Sequence, residues 1–402
     1  MKTDGPLRGL RILDFTRVLS GPFATALLAD LGAEVVKVEA PQGDEYRHIG
    51  PFHAEESALF QLVNRNKLGL VLNLKETACQ EVARRLAWSA DVVVENFRPG
   101  VAARLGIGYA ALAAINPRLV YASISGFGQT GPRRDLPAFD LVAQAMSGLM
   151  AMTGDPNGPP TRVGESIGDL AAGLFCSWAI LAALYERERT GVGQQLDVAM
   201  VDSLIALLPT ASAQWMFGPI PPRRTGNRHP LSTPFGTFRV QDGHIVICVL
   251  SRGQFHNLAN CIGRPELAED PRFASDELRT HNEQALTPLI EAWLATRTAA
   301  AAVCELNDAG VPASAIEEPK GVFEGDHVAQ RQLLTHVQHS VLGSIPIMEQ
   351  PVHFSGHGRG RQRAAPGLGA DGAQVLQRWL RVSAEEAAVL LRGCQEQGGA
   401  QR

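Results

Sequence analysis

The chain has 402 residues, of which 45% are hydrophobic and 19% are charged, and its formal net charge is -4. This composition predicts a globular chain of two or three domains, and the slightly acidic balance excludes a general nucleic-acid binder. The cysteines are scattered without a Cys-x-x-Cys pair, and the N-terminus lacks the apolar core of a signal peptide. No apolar run reaches the roughly 20 residues that a bilayer span needs. We therefore expect a cytoplasmic protein without a membrane partner.

The first third of the chain alternates strand and helix signals. Valine-rich runs such as 91–96 are typical of buried parallel strands, and a helix between successive strands favours a doubly wound, Rossmann-like α/β sheet. The predicted strands are 10–15, 34–39, 68–74, 91–96 and 119–125. The predicted helices are 22–31, one that opens at Thr77 with Gln80 placed for a capping box, and two short pieces after Pro99-Gly100.

Sheets of this kind bind ligands at the carboxyl ends of their strands. The first strand-to-helix turn, 16–22, lacks Gly-x-Gly-x-x-Gly, and the formal match at 367–372 follows Ala-Ala-Pro rather than a strand, so no dinucleotide is expected. No P-loop is present either. His353 and His357 enclose Ser355-Gly356 without a third ligand, so no metal site is expected.

The composition changes near Gly218, where prolines and arginines at 219–228 indicate a linker. Beyond it, Asp242-Gly243 joins two predicted strands, 235–240 and 244–250, in a hairpin. Helical patterns continue to about Gly310, so this middle region is predicted to be a small α+β domain.

Asp169 follows a glycine hinge at 164–168 and precedes an apolar segment, 170–185, that predicts a buried helix ending before Gly191. Taken alone, this position favours an N-cap residue. The other interpretation is a carboxylate nucleophile that the positive end of the helix keeps ionised. The same stretch matches Gly-x-Ser-x-Gly around Ser166, but no strand precedes it, so a serine hydrolase is not expected.

Several cations fall where the predicted strands end. Arg98 follows Asn96-Phe97, and Arg104, Lys75 and Arg47 lie in or beside neighbouring turns. Guanidinium and ammonium groups that converge in this way suit a multiply phosphorylated ligand, and Phe97 offers a flat surface for a base. The alternative is a solvated rim of positive charge.

These residues belong to an ordered set of motifs that resembles the class III coenzyme A transferases, the family of formyl-CoA transferase and carnitine CoA-transferase. The set spans roughly residues 7 to 360. The matching segments are 14–22, 31–39, 64–67 (Asn-Arg-Asn-Lys), 90–100, 126–128 (Gly-Phe-Gly), Gly168-Asp169, 186–194 and 224–229 (Arg-Thr-Gly-Asn-Arg-His).

The resemblance implies that Asp169 is the nucleophile. It attacks the thioester of an acyl-CoA donor to give an aspartyl anhydride, the CoA thiolate returns to form an aspartyl-CoA thioester, and a carboxylate acceptor then attacks that thioester. Coenzyme A is therefore a substrate, and no permanently bound cofactor is implied. Contacts to CoA are implied at Leu19, Ser20, Leu72, Lys75, Asn96, Phe97, Arg98, Arg104, Ala138, Phe139 and Asp140.

Two departures from formyl-CoA transferase disfavour oxalate as the acceptor. Leu19 replaces a polar glutamine near the small acceptor of that enzyme, and its glycine-rich closing loop is replaced by Leu250-Ser251-Arg252-Gly253-Gln254. Arg252, with Gly253 and Gln254 beside it, is expected to pair with a carboxylate of a larger dicarboxylic acid.

The resemblance also implies an interlocked homodimer and a chain that leaves the large domain and returns to it. With the composition change near Gly218, this predicts a large CoA-binding domain at 1–218, a small domain at 219–330 and a C-terminal return at 331–402. The alternatives are an α-methylacyl-CoA racemase and a non-catalytic CoA-binding relative. Phe139 argues against the racemase, because a phenylalanine stands where proton transfer needs a histidine.

Overall fold

The computed structural model describes residues 5–219, 221–357 and 362–395, which cluster into two compact units. The first unit holds 5–149, 163–213 and the described part of 329–395; the second holds 150–162 and the described part of 214–328. The sequence placed 150–162 in the large domain, but this segment clusters with the second unit. One contact that ties this segment to the second unit is the hydrogen bond from Arg224 Nε to the Asp155 carbonyl at 3.1 Å.

The first unit is built on a parallel sheet. The strand Arg11–Asp14 pairs with Glu34–Glu39 on one side and with Val92–Glu95 on the other, so the strand order reverses at Arg11–Asp14. The crevice at the carboxyl ends of Arg11–Asp14 and Val92–Glu95 is therefore the expected ligand position. Within the described residues its strands, in the spatial order β3-β2-β1-β4-β5-β6, are β1 (Arg11–Asp14), β2 (Glu34–Glu39), β3 (Leu68–Val71), β4 (Val92–Glu95), β5 (Val120–Ser125) and β6 (Gln195–Ala199). The strand β6 was not predicted, β2 was predicted with its exact bounds, and the other four were predicted with longer ends.

Helices of the first unit connect these strands and cover the sheet, and further helices belong to the second unit. In chain order they are α1 (Ser20–Asp30), α2 (Ala58–Val63), α3 (Thr77–Trp88), α4 (Val101–Arg104), α5 (Tyr109–Ile115), α6 (Asp140–Met146), α7 (Leu149–Met152), α8 (Ile167–Thr190), α9 (Met200–Ala206), α10 (Pro209–Phe217), α11 (Arg252–Cys261), α12 (Asp276–His281), α13 (Glu283–Leu294), α14 (Ala299–Asp308), α15 (Pro319–Glu324), α16 (Asp326–Gln330), α17 (Gly372–Leu380) and α18 (Ala384–Gln395). Short 3₁₀ helices lie at Glu45–His48, Pro265–Ala268 and Pro271–Phe273.

Both faces of the sheet are buried, because successive side chains of a strand point to opposite faces. Leu13 and Val93 lie in a core formed with α3 and α17, and Ile12 and Val92 lie in a second core formed with α1 and α8. Burial of each such side chain stabilises the fold by about 1.5–3 kcal/mol. The cores therefore hold the strand ends rigidly, and the loops beyond them carry the polar groups.

The start of α3 differs from its prediction. The helix begins at Thr77, but Glu76 is the N-cap residue and no side chain caps it. Gln80 Nε2 donates instead to the Leu74 carbonyl at 2.9 Å, so the predicted capping box does not form.

The long helix α8 has 24 residues, whereas the sequence predicted 170–185. Its N-cap position is Ser166, so the interpretation of Asp169 as the N-cap is wrong: Asp169 is the third helical residue. The helix ends as predicted at Gly191, which adopts a left-handed φ of 76°.

By length and composition α8 is also long and apolar enough to cross a membrane, contrary to the sequence expectation. Its contacts are those of a core helix. Ala172, Cys176 and Ile180 are fully buried in the core with α1, and Gly173 lies directly on the Ser20 carbonyl. A core helix of a globular unit meets the same length and composition criteria.

The second unit contains an antiparallel sheet of β7 (Phe235–Val240), β8 (Gly243–Cys248) and β9 (Ala313–Ala315), in the order β9-β8-β7. The predicted hairpin at Asp242-Gly243 is confirmed by the pairing of β7 with β8. Helices α11, α13 and α14 pack on this sheet around a core of their own. In the first unit, β10 (Leu334–His339) pairs with β11 (Gly343–Met348), and Phe52–His53 pairs with Glu56–Ser57.

Candidate active site

A buried ionic network closes the carboxyl end of β1. The last residue of the strand, Asp14, accepts hydrogen bonds from Thr25 Oγ1 at 2.6 Å and from Lys67 Nζ at 3.0 Å. Burial alone raises the pKa of Asp14, but the ammonium groups of Lys67 and Lys37 outweigh that effect and hold the pKa below its usual value. Burial in turn lowers the pKa of Lys67 to about 8. The network fixes the start of the loop that follows β1.

That loop, residues 15–19, is held on two sides. Asn96, just beyond β4, accepts from Arg17 N at 2.9 Å and donates to the Arg17 carbonyl at 2.8 Å. Asp44 accepts from Val18 N at 3.0 Å, and Val18 takes a left-handed φ of 65° that a β-branched residue rarely adopts. These clamps position Leu19 and Ser20 at the start of α1.

A cavity of about 420 Å³ opens at the carboxyl ends of β1 to β4, within the size range of small-molecule sites. Of the residues predicted to contact CoA, this cavity is lined by Leu72, Lys75 and Phe97. The Arg17 guanidinium lies 5.8 Å from the centroid of the Phe97 ring and pairs with Glu45 at 2.6 Å. An aromatic ring and a guanidinium therefore line a largely apolar cavity.

The predicted cations divide into two groups. Lys75, Arg98 and Arg104 are exposed, and their side-chain cations make no ion pair with the described residues. Arg47 is different: its guanidinium donates to both Glu39 carboxylate oxygens at 2.7 Å and stacks on the Phe60 ring at 3.7 Å. The prediction that Arg47 is a free ligand-binding cation is therefore wrong, because Glu39 already neutralises it.

The cap of α8 comes from another helix. Asp140, at the start of α6, accepts a hydrogen bond from Gly168 N at 2.7 Å with Oδ1 and from Gln144 Nε2 at 2.7 Å with Oδ2. A Cβ at Gly168 would lie 3.0 Å from that Oδ1, so the glycine allows the carboxylate to approach. Asp140 was predicted as a CoA contact; the structure shows it as the cap of the helix that carries Asp169.

Asp169 is half-buried beside this cap. Burial and the negative charge of Asp140 raise its pKa to about 6, while a hydrogen bond from the Ser20 hydroxyl lowers it. The sequence analysis expected the helix end to favour the ionised form of Asp169, but burial and Asp140 shift its pKa upward, toward the protonated form. At neutral pH the group is still mainly a carboxylate, and it is a more basic one than an exposed aspartate.

The predicted residues thus form two groups. Leu72, Lys75 and Phe97 lie at the cavity, while Ser20, Asp140 and Asp169 meet at the start of α8. Asn96 joins them, because its side chain contacts Arg17 of the cavity wall and, at 3.4 Å, the Ser20 hydroxyl.

The model of CoA-transferase family III matches residues 7–372 of the chain. The chain belongs to this family. An acetyl-CoA:oxalate CoA-transferase from Acetobacter aceti is 44% identical, over 93% of this chain and 96% of its own length. A succinyl-CoA:glutarate CoA-transferase from Mus musculus is 38% identical, over 94% of this chain and 87% of its own. The crystal structure of a CAIB/BAIF family protein from Brucella suis, 35% identical, has a TM-score of 0.82 and covers 94% of this chain, which covers 100% of that one.

The family III chain is thus a CoA-transferase of acyl-CoA metabolism, and the resemblance drawn from its motifs is confirmed. These comparisons support CoA transfer over the racemase and the non-catalytic alternatives. Phe139 is 74% exposed before α6, and Ala138 lies against Gly126. Neither side chain carries a group that can transfer a proton.

The acceptor residues predicted for this CoA-transferase lie in its second unit. Residues 250–254 are the start of α11, where Ser251 and Gln254 form a capping box. Gln254 Oε1 accepts from Leu250 N and Ser251 N, so its amide oxygen serves the helix. Arg252 and Gly253 are exposed, and within the described residues the Arg252 guanidinium has no ion pair.

Apart from Arg47, the residues in the turn after β2 of this CoA-transferase were not predicted. Gln42, Glu45 and His48 line the cavity, and Tyr46 shares their turn. The available signal was the rule already applied to β4, that residues just past a strand end face the ligand crevice. Arg17, in the loop after β1, was missed in the same way.

Proposed function

We propose that this enzyme transfers CoA from an acyl-CoA donor to a dicarboxylic acid through covalent intermediates on Asp169. The observation that carries the proposal is the hydrogen bond from Gly168 N to Asp140. Since Asp140 accepts the Gly168 N–H of the first helical turn, this N–H does not need the Asp169 carboxylate. A carboxylate whose pKa is raised to about 6 is ionised near neutral pH and more nucleophilic than an ordinary aspartate.

Donor binding is proposed at the cavity. Its apolar wall and Phe97 suit the adenine of CoA, and the cations of Lys75, Arg98 and Arg104, which pair with no described residue, suit its phosphates. Leu19, Ser20, Asn96 and residues 138–140 extend the proposed contacts toward Asp169. Holding the CoA thiolate beside the acylated aspartate makes its return intramolecular, an effect worth up to about 7–11 kcal/mol of the barrier.

The acceptor is proposed to be a dicarboxylic acid. The relatives described above are named for oxalate and glutarate, two dicarboxylates of different length. The Leu19 side chain offers no hydrogen bond to a small polar acceptor, and the Arg252 guanidinium, which pairs with no described residue, offers a bidentate partner for a second carboxylate. The preference for an acceptor larger than oxalate stays a prediction, which a panel of acids from two to six carbons tests.

A homodimer is proposed from the apolar surface of the first unit. Leu174, Trp178 and Tyr185 are 54%, 67% and 69% exposed along one face of α8. Large apolar side chains aligned on one helix are typical of a face that another chain covers. Sedimentation equilibrium of the protein and of Trp178→Arg tests this, with a dimer expected for the first and a shift toward monomer for the second.

A cytoplasmic location is also proposed, since all six cysteines are free thiols.

The decisive experiment traps the intermediate. The enzyme is incubated with succinyl-CoA and hydroxylamine, digested and analysed by mass spectrometry. Asp169 is expected to become a hydroxamate, and Asp169→Asn is expected to show none. Asp202→Asn, an exposed aspartate on α9, is the matched control and should be labelled at Asp169 like the wild type. Turnover without any label on Asp169 would contradict the proposal.

A further inference from the structure

Tyr46 is a phenol close to the nucleophile that no predicted contact uses. Its backbone N–H donates to the Asp44 carboxylate at 2.9 Å, and the same carboxylate accepts from Val18 N at 3.0 Å and from Lys37 Nζ at 2.7 Å. Asp44 and Lys37 are both buried. One ionic anchor therefore holds both the turn that carries Tyr46 and the loop that leads to Ser20.

This shared anchor links the turn of Tyr46 to Asp169 through Ser20. Ser20 follows Val18 by two residues and hydrogen bonds the Asp169 carboxylate. The Tyr46 phenol is half-buried, and Asp169, Asp140 and Glu165 all lie within electrostatic range of it. Burial and these negative charges raise its pKa to about 12, so it stays protonated at neutral pH.

Among the described polar groups around Asp169, the phenol is a donor without a hydrogen-bond acceptor. Ser20 already donates to Asp169, the Gln144 amide donates to Asp140, and Asn96 donates to the Arg17 carbonyl. The Tyr46 phenol oxygen, in contrast, makes no hydrogen bond to the described residues. A protonated hydroxyl that makes no hydrogen bond to the described residues is available to an incoming oxygen atom.

We propose that Tyr46 is a catalytic residue that donates a hydrogen bond to the carbonyl oxygen of the acyl group attacked by Asp169. The inference rests on the proposed role of Asp169. In the step concerned, an Asp169 oxygen bonds to the acyl carbon and the carbonyl π pair moves onto its oxygen. When that pair returns, the carbon–sulfur bond breaks and the CoA thiolate leaves with its electrons, giving the anhydride.

As Asp169 attacks, its negative charge moves onto the carbonyl oxygen in a site that also holds Asp140 and Glu165. A neutral donor that resists ionisation stabilises this charge, whereas water at the same place must first reorganise. Loss of one donor to such an oxyanion typically slows the step about 10²- to 10³-fold.

The test is Tyr46→Phe in single turnover. We expect the rate of Asp169 acylation to fall about 10²- to 10³-fold. Hydroxylamine trapping and CoA release both measure this rate. The Kd of the donor CoA and the Tm are expected to stay at wild-type values. Tyr109→Phe, a half-buried tyrosine that packs on Tyr121, is the matched control and should acylate at the wild-type rate.

The outcomes separate the two proposals. If the wild type labels Asp169 and Tyr46→Phe labels it equally fast, the role of Tyr46 is overturned while that of Asp169 stands. A weaker Kd with an unchanged acylation rate also overturns it, because that result assigns Tyr46 to binding. If the wild type turns over without labelling Asp169, both proposals fail.

Discussion

Asp140 Oδ1 accepts the Gly168 N–H at 2.7 Å, so the helix that carries Asp169 is capped by a residue from 28 positions earlier in the chain. The cap and the nucleophile are consequently two carboxylates side by side. Their proximity raises the pKa of Asp169 together with burial, and it stores an electrostatic cost in the folded state. Both consequences are measurable.

The first prediction concerns stability. The pKa of Asp169 rises from 3.8 to about 6 on folding, so its favourable contribution is complete below pH 3.8 and is lost as the pH rises through 6. Asp169→Asn should therefore be inactive yet more stable than the wild type at pH 8, by roughly 1–3 kcal/mol. Urea unfolding at pH 8 and at pH 4 measures this gain, which should vanish at pH 4. The exposed Asp202→Asn should show no such pH-dependent gain.

The second prediction concerns the pH profile. Because the attacking group must be ionised, kcat/KM should fall below about pH 6, the raised pKa of Asp169. Asp140→Asn removes the neighbouring charge and should move this acid limb to lower pH. The overall rate of this variant should also fall. In the wild type Gln144 Nε2 donates to Asp140 at 2.7 Å, and the asparagine amide would place a second N–H donor opposite it. An acid limb that stays in place would show that another group controls it.

The third prediction concerns the contact between α1 and α8. A Cβ at Gly173 would lie 2.7 Å from the Ser20 carbonyl and 2.9 Å from the Phe23 ring. Gly173→Ala should therefore push the helices apart, cost about 1–3 kcal/mol and move Ser20 away from Asp169, lowering kcat. Gly393→Ala is the control, because a Cβ there meets open space inside α18 and should stabilise by about 0.5–1 kcal/mol. Denaturant titration and turnover assays measure both.

The fourth prediction concerns the exposed cations. Charge-assisted hydrogen bonds to phosphate contribute about 1.5–3 kcal/mol each, so Lys75→Ala, Arg98→Ala and Arg104→Ala should each weaken CoA binding about 10- to 100-fold. Binding of a pantetheine thioester without the nucleotide should not change. Calorimetric titration of both ligands measures this, and the exposed Lys320→Ala of the second unit serves as the control. Equal losses for the two ligands would place the cations elsewhere than at the phosphates.

The sheet was predictable because its signals are local. Valine runs such as Val92–Glu95 and stop signals such as Gly191 depend on neighbouring residues alone. The capping of α8 was not, because Asp140 is distant in sequence and no local pattern links it to Gly168. The start of α3 shows the same limit. Thr77 and Gln80 have the spacing of a capping box, but Gln80 Nε2 donates to the Leu74 carbonyl instead.

The site was predictable in its residue types more than in their roles. Asp169 was found by its glycine hinge and by resemblance, but the sign of its pKa shift depends on burial and on Asp140. Arg47 was chosen for its charge, and only the fold shows that Glu39 neutralises it. Tyr46 was missed since its position follows from the tertiary anchor at Asp44.

That anchor has a practical consequence for engineering. Gln42, Glu45 and His48 shape the cavity from an exposed turn, while Asp44 and Lys37 hold the turn from below. The residues that line the cavity and the residues that hold the turn in place are thus different. Combinatorial libraries that randomise the exposed three and keep the buried pair should retain folded protein while changing the range of thioesters that the enzyme accepts.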